Sequence, residues 1–163
     1  VADGDEVTVA GQVTKVLDVS GHTINHIAFH MPGCAHVFTA DSLMALGCGR
    51  VFEGTFDQMW ASLSRLAALP PETIVCSGHE YTQTNARFAL TIEPDNPDLI
   101  LRAASVAAAT AAGTPTVPST LSDELATNPF LRAGEPLLKA ALGMQTATNA
   151  EVFAEVRARK DAF

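Results

Sequence analysis

Long apolar runs are missing from this sequence of 163 residues. No segment approaches the roughly 20 consecutive apolar residues that a transmembrane helix needs. No charged-then-apolar signal segment opens the chain, which starts at Val1. We therefore expect no membrane association. Hydrophobic residues still make up 47% of the chain, which is enough to fill the core of one full domain or two small ones.

Basic residues and cysteines are also scarce. Ten lysines and arginines face eighteen acidic residues, which gives a net charge of -8. A general nucleic-acid binder needs a basic surface, so we expect no nucleic-acid partner, although a small basic pocket for an anion remains compatible. The cysteines Cys34, Cys48 and Cys76 show no CxxC spacing and do not form a disulfide framework. This pattern predicts three buried, reduced thiols and a reducing compartment, namely the cytoplasm.

The first half of the chain predicts strands and one helix. Alternating apolar residues and turn signals predict strands over 6–10, 13–17, 26–31, 36–40 and 73–76. Thr55 and Gln58 have capping-box spacing and predict a helix over 55–69. Its apolar stripe is predicted to comprise Phe56, Met59, Trp60, Leu63 and Leu66.

From Thr82 onward the pattern is helical only. Helices are predicted over 83–92, from Asn96-Pro97 to near Gly113, and over 122–126, with an extended loop at 114–118. A second capping box, Thr148 with Glu151, opens a final helix with three buried residues, Val152, Phe153 and Val156. The whole chain therefore predicts an α+β fold that ends in an all-α part.

Three side chains that can bind a metal follow strand-like runs beside small residues. They are His22, Asp41 and His79. Histidine is the commonest metal ligand, and a carboxylate with two oxygens can bridge two cations. Each residue alone has an ordinary alternative role, as a loop histidine or a turn-capping carboxylate. Three ligand candidates at separate strand ends together favour a metal site.

Several other residues are candidates for binding an anion. Arg50 lies in the glycine-flanked loop Gly47-Cys48-Gly49-Arg50, where its guanidinium can hold a carboxylate. Tyr81 and Asn85 open a helix on the same side as His79. Arg157 and Lys160 are three residues apart and share one helix face. The alternative for this last pair is a solvated basic C-terminus that complements the helix dipole.

Taken together, these motifs resemble glyoxalase II, the hydroxyacylglutathione hydrolase family of the metallo-β-lactamase superfamily. The likeness covers essentially the whole chain. The matching stretches are Gly-His-Thr-x-x-His at 21–26, Ala-Asp-Ser-Leu at 40–43, Gly-Cys-Gly-Arg-Val-Phe-Glu-Gly-Thr at 47–55, Gly-His-Glu-Tyr-Thr at 78–82, Ala-Thr-Asn-Pro-Phe-Leu-Arg at 126–132 and Arg-Lys-Asp at 159–161.

The resemblance implies a fold, a reaction and residue roles. Residues 1–81 would be the C-terminal half of a metallo-β-lactamase αββα sandwich, and 82–163 an all-α domain for the glutathione substrate. Two divalent metals, zinc or possibly iron or manganese, would hold a hydroxide that hydrolyses S-D-lactoylglutathione to D-lactate and glutathione, which detoxifies methylglyoxal. His22 would bind one metal, His79 the other, and Asp41 would bridge both. The glutathione part would contact Arg50, Tyr81, Asn85, Arg157 and Lys160.

The sequence also departs from the family pattern. The motif Thr-His-x-His-x-Asp-His is absent. We expect it upstream, in a missing N-terminal half that supplies the remaining ligands. An exposed apolar sheet face would then favour self-association or pairing with that half. Asn25, Ala40 and Ser42 replace the family's glycine, glycine and threonine, and Phe52 replaces a substrate-contacting tyrosine.

Two alternative functions remain open. One is a truncated, non-catalytic remnant that binds a partner or a glutathione-like anion. The other is a persulfide dioxygenase with the same fold and one iron. Metal stoichiometry separates the three possibilities, because two metals support the hydrolase, one iron the dioxygenase and none the remnant.

Overall fold

The computed structural model describes all 163 residues and has an α+β fold. Six strands form one sheet in the order β1-β2-β3-β4-β7-β8, and β5 and β6 form a separate hairpin. The strands are β1 Glu6–Val9, β2 Gln12–Asp18, β3 Ile27–Met31, β4 His36–Ala40, β5 Leu43–Met44, β6 Gly47–Cys48, β7 Ile74–Ser77 and β8 Ser119–Thr120. The helices are α1 Phe56–Ala67, α2 Thr82–Ile92, α3 Pro97–Ala111, α4 Leu121–Thr127, α5 Pro136–Leu142 and α6 Asn149–Ala162.

The topology of the sheet places two strand ends side by side. Strands β1 to β4 are antiparallel neighbours, whereas β4 and β7 are parallel and are connected through α1. Parallel strands end at the same edge of a sheet. Asp41, directly after β4, and His79, two residues after β7, are therefore delivered to the same edge.

Helix α1 covers one face of this sheet. Its predicted capping box is confirmed: Gln58 N donates to Thr55 Oγ1 at 3.1 Å, and Thr55 N donates to Gln58 Oε1 at 2.9 Å. The predicted apolar stripe is confirmed for Met59, Leu63 and Leu66, which are fully buried. Trp60 is half-buried against the same core. Phe56, on the first turn of the helix, packs against Phe153 at a ring-centroid distance of 6.3 Å but stays 41% exposed, so the prediction is wrong for its burial.

The helical half packs on the same core as the sheet. Phe88, Phe130 and Phe153 are each at most 1% exposed and belong to one cluster with residues of α1 and of strands β2, β3, β4 and β7. The three predicted buried residues of α6 are confirmed. Helix α5 was not predicted, although its two boundary residues are ordinary ones. Pro136 stands at the first helical position, and Gly143 at φ 71° caps the C-terminus.

Two short strand pairs contradict the sequence predictions. The region after Thr82 is not helical only, because β8 pairs antiparallel with β7. The predicted loop at 47–50 is partly strand, because Gly47–Cys48 pairs with Leu43–Met44. Two-residue strands are too short to show an apolar period, so sequence patterning did not reveal them.

The cysteine prediction holds only in part. All three thiols are free, as expected, but Cys34 is exposed, Cys76 is half-buried and only Cys48 is buried. Burial raises the pKa of the Cys48 thiol to about 11, so it stays neutral. None of the helices is both long enough and apolar enough to span a membrane.

The opposite face of the sheet is apolar and partly open. Phe29 is paired with Phe38, and Phe38 with Cys76, so these side chains share that face. Phe38 is 42% exposed, and Phe29, Met31 and Cys76 are half-buried. The expected exposed apolar sheet face is therefore present.

Candidate metal and anion site

His22 presents one free ring nitrogen toward Asp41. Its Nδ1 lies 2.7 Å from the Arg50 carbonyl oxygen. A carbonyl can only accept, so Nδ1 carries the proton and Nε2 keeps its lone pair in the neutral ring. Nε2 lies 3.8 Å from Asp41 Oδ2. A carbonyl that fixes the tautomer while the other nitrogen faces a carboxylate is the arrangement expected of a metal-ligating histidine.

His79 contacts the other oxygen of the same carboxylate. Its Nδ1 lies 2.5 Å from Asp41 Oδ1, and its ring stacks on Tyr81 at a centroid distance of 5.2 Å and an angle of 3°. Asp41 therefore lies between two imidazoles and offers one oxygen to each.

Glycines permit this close approach. A Cβ on Gly49 would collide with the Asp41 carbonyl oxygen and lie 2.8 Å from His22 Nδ1. A Cβ on Gly78 would lie 3.0 Å from Asp41 Oδ1. Neither position has room for a larger residue without displacing a ligand candidate.

The donors fit a divalent cation in type but not in number. One imidazole nitrogen and one carboxylate oxygen would serve each ion, whereas protein sites for zinc use three or four ligands. No group of three or more His, Cys, Asp or Glu side chains is arranged to hold a metal ion. The residues of this chain alone therefore make at most half of a two-metal site.

The same side chains line a cavity of about 890 Å³ that also contains four cationic side chains. Arg157 is only 3% exposed, and it donates to the Cys48 carbonyl oxygen at 3.0 Å and to Asp161 at 2.9 Å. Arg50 lies 3.5 Å from the same Asp161 carboxylate. Because Arg157 is buried, the alternative of a wholly solvated basic C-terminus is wrong for this residue.

Lys160 has no carboxylate partner in this cavity. Its Nζ lies between the rings of Phe88 and Phe163, 5.1 and 4.9 Å from their centroids. Burial, followed by the charges of Arg157, Arg87 and Arg50, lowers the pKa of Lys160 to about 8. Repulsion among cations in an otherwise acidic protein marks this cavity as a place for an anion.

All eight residues singled out in the sequence line this one cavity, together with some that were not. Asn85 lines it too, but the residue is only 6% exposed, and its side-chain amide donates to the Ala45 carbonyl oxygen at 3.0 Å. Arg87, Thr84 and Phe163 were missed. Arg87 stands two residues after Asn85 on α2, and that spacing gave no signal because such residues do not face each other.

Comparison with known proteins identifies the family. The model of the hydroxyacylglutathione hydrolase C-terminus matches residues 80–163, and that of the metallo-β-lactamase superfamily matches residues 2–79. This chain belongs to the hydroxyacylglutathione hydrolase family. Its fold is accordingly part of a metallo-β-lactamase sandwich followed by helices, and the family implies binding of divalent metal ions.

Individual relatives agree with this membership. A hydroxyacylglutathione hydrolase of Ruegeria pomeroyi is 66% identical over all 163 residues, and the chain spans 64% of that protein's length. The crystal structure of ETHE1 from Myxococcus xanthus aligns with 99% of this chain and 59% of its own, with 26% identity and a TM-score of 0.56. That of TTHA1623 in a di-iron-bound form aligns with 80% of this chain and 47% of its own, with 28% identity and a TM-score of 0.52.

Proposed function

We propose that this chain is the part of a hydroxyacylglutathione hydrolase that binds the glutathione portion of a thioester and supplies half of the metal ligands. The reaction is hydrolysis of S-D-lactoylglutathione to D-lactate and glutathione. One observation carries the proposal: the ligand candidates His22, Asp41 and His79 line the same cavity as four cationic side chains. A thioester of an anionic tripeptide needs both kinds of group in one cavity.

The geometry of the site supports the proposed metal-binding roles. His22 Nε2 with Asp41 Oδ2 would hold one ion, and His79 with Asp41 Oδ1 the second. A bound divalent cation polarises a carbonyl and lowers the pKa of its water to about 7. Zinc, iron and manganese all accept these ligand types, and the di-iron form of the similar TTHA1623 supports a two-metal site. The remaining ligands would come from residues outside this chain.

The substrate-binding roles rest on charge and exposure. Lys160, Arg157 and Arg50 bring positive charge to the cavity and would hold a carboxylate of glutathione. Tyr81, 54% exposed and stacked on His79, would contact the peptide together with Asn85. Because a glutathione thiolate leaves readily, no strong general acid is required. Phe52 packs on His22 at 5.1 Å and offers no hydrogen bond to the substrate.

The wider assignments are part of the same proposal. Residues 1–81 act as the lactamase-like part and 82–163 as the glutathione-substrate part, in the cytoplasm, without a nucleic-acid or membrane partner. The half-open apolar face around Phe38 favours self-association or pairing with an N-terminal half of the sandwich.

The test combines intact mass, metal content and hydrolysis of S-D-lactoylglutathione on one purified sample. Two metals per chain with thioester hydrolysis support the proposal. One iron per chain without hydrolysis would instead favour the dioxygenase. A mass near 17.1 kDa with no metal and no turnover would overturn hydrolysis by this chain and favour the non-catalytic remnant, for which the incomplete ligand set is the supporting observation.

A further inference from the structure

The β5–β6 hairpin is a turn buried inside the protein. Ala45 is 2% exposed and Leu46 is fully buried, although loops normally lie on the surface. Leu46 has φ 56°, a left-handed conformation that a leucine keeps only where the surrounding structure imposes it. Buried backbone polar groups in such a turn need partners.

Side chains of the helical half supply those partners. Asn85 donates to the Ala45 carbonyl oxygen at 3.0 Å, and Arg157 donates to that of Cys48 at 3.0 Å. Asn128 donates to the carbonyl oxygens of Met44 and Gly47, at 3.2 and 3.0 Å. The carbonyl groups of the hairpin are therefore held from α2, α6 and the segment after α4.

The N–H of the strained residue has one partner, and it is a buried carboxylate. Leu46 N donates to Glu124 Oε2 at 2.8 Å, and Glu124 is fully buried. The same oxygen accepts from Asn128 at 3.0 Å, and Oε1 accepts from Arg102. A buried ion pair is weak evidence for stability by itself, because desolvation offsets its attraction. The pair of Glu124 with Arg102 differs from an ordinary buried ion pair because its carboxylate also accepts from the backbone of the hairpin.

The hairpin is directly connected to the metal-ligand candidates. Gly49 N, just after β6, donates to the Ser42 carbonyl oxygen at 3.2 Å, next to Asp41. The next carbonyl, that of Arg50, is the one that fixes the His22 tautomer. A shift of the hairpin therefore moves the backbone that carries Asp41 and the acceptor that orients His22.

We propose that Glu124 is a positioning residue: by accepting the Leu46 N–H, it holds the buried hairpin in the conformation that sets Asp41 and the Arg50 carbonyl for the site. The helical half then does more than bind substrate, because it also orders the metal ligands of the other half. This role lies outside the eight residues of the proposed function, although one of the measurements below rests on that function.

Two double variants test this role at matched charge. Glu124→Gln with Arg102→Leu (the Gln/Leu double variant) removes the ion pair but keeps a side-chain oxygen for Leu46 N–H and Asn128. Glu124→Leu with Arg102→Leu (the Leu/Leu variant) removes both the ion pair and the oxygen. Glu93→Gln is the control for a merely structural effect, because it neutralises the carboxylate of a second Glu–Arg pair. Glu93 accepts from Arg132 at 2.8 and 3.0 Å, and these bonds do not involve the hairpin.

The first measurement is the ¹H–¹⁵N spectrum of the imidazole rings, which reports the His22 tautomer and needs neither metal nor activity. We expect the wild-type His22 pattern in the Gln/Leu double variant and in Glu93→Gln, and its loss in the Leu/Leu variant. The second measurement is the affinity for S-methylglutathione, which should fall by about tenfold only in the Leu/Leu variant. The reason is that Arg50 follows β6 by two residues and Arg157 donates to the Cys48 carbonyl oxygen, so a shifted hairpin displaces both cations.

The outcomes separate the two proposals. Identical His22 patterns in both double variants would overturn the positioning role. If the Leu/Leu variant does not fold, Glu124→Met with Arg102→Leu takes its place, because methionine also lacks the oxygen but keeps an unbranched side chain of similar length. An unchanged His22 pattern in that variant overturns the positioning role equally. If the wild type does not bind S-methylglutathione, the proposed function fails, while the imidazole spectrum still decides the role of Glu124.

Discussion

Replacing Lys160 with arginine should remove a pH dependence that we expect in anion binding. The pKa of Lys160 is lowered to about 8, first by burial and then by the charges of Arg157, Arg87 and Arg50, while Asp161 opposes them. Lys160 therefore loses most of its charge between pH 7 and 9.

The magnitude follows from the proton equilibrium. With a pKa of about 8, the ammonium is about 90% charged at pH 7 and about 10% at pH 9. If a ligand carboxylate needs the charged form, the dissociation constant for S-methylglutathione should rise about tenfold over those two units. The pKa of the unliganded protein sets the start of this fall, so the affinity should roughly halve between pH 7 and pH 8 and fall faster above pH 8.

The assay is calorimetric titration of S-methylglutathione at several pH values between 7 and 9.5. Lys160→Arg keeps its charge throughout and should show a flat profile, and any remaining slope reports titration of the ligand itself. Lys160→Met should bind weakly at every pH. The reasoning is refuted if Lys160→Arg reproduces the wild-type slope.

Folding stability gives an independent check on the same group. Because the folded pKa lies below the ordinary value of 10.5, the unfolded chain binds more protons between pH 8 and 10.5. The contribution of Lys160 to stability therefore rises with pH across this window. The melting temperature of the wild type should therefore rise relative to that of Lys160→Met as pH rises from 8 to 10.

Other changes test further parts of the site and surface. Gly49→Ala should destabilise the fold by about 1–3 kcal/mol through its collision with the Asp41 carbonyl, seen as a melting temperature several degrees lower. Arg87→Met should weaken S-methylglutathione binding severalfold, whereas Arg159→Met, paired with Glu155 outside the cavity, should not. His79→Ala should lose one metal per chain in a metal-loaded preparation, and an unchanged metal content removes His79 from the site. Phe38→Ser should reduce any self-association in sedimentation velocity, and an unchanged profile would exclude the open sheet face as the surface of self-association.

The fold elements with strong local signals were predictable from the sequence. The capping boxes at Thr55 and Thr148 fixed the starts of two helices to the residue. The β4 strand was predicted with its observed limits, because alternation and flanking turns agree there. Elements without a local signal were missed: β5, β6 and β8 are each two residues long, and α5 has seven residues with one buried side chain.

Most residues of the site were predictable from the sequence, but the contacts that arrange them were not. Strand ends and helix faces indicated eight residues of the cavity, whereas Arg87 has no distinguishing spacing and joins it only through the packing of α2. In the sequence, Glu124 is an ordinary charged residue on a short helix. No local pattern indicates that it is fully buried or that it accepts from Leu46, which lies 78 residues earlier in the chain. Long-range hydrogen bonds of this kind depend on the tertiary fold.

The short strand β8 has a consequence for any attempt to produce the two parts separately. It pairs with β7, and the neighbouring amides of Leu121 and Ser122 bond to the Thr73 and Pro71 carbonyls at 2.8 Å each. A fragment that ends at residue 81 would leave β7 as a bare edge, with unpaired backbone groups ready to recruit another chain. Such a fragment should aggregate during expression, whereas a cut placed after β8 would keep the edge covered.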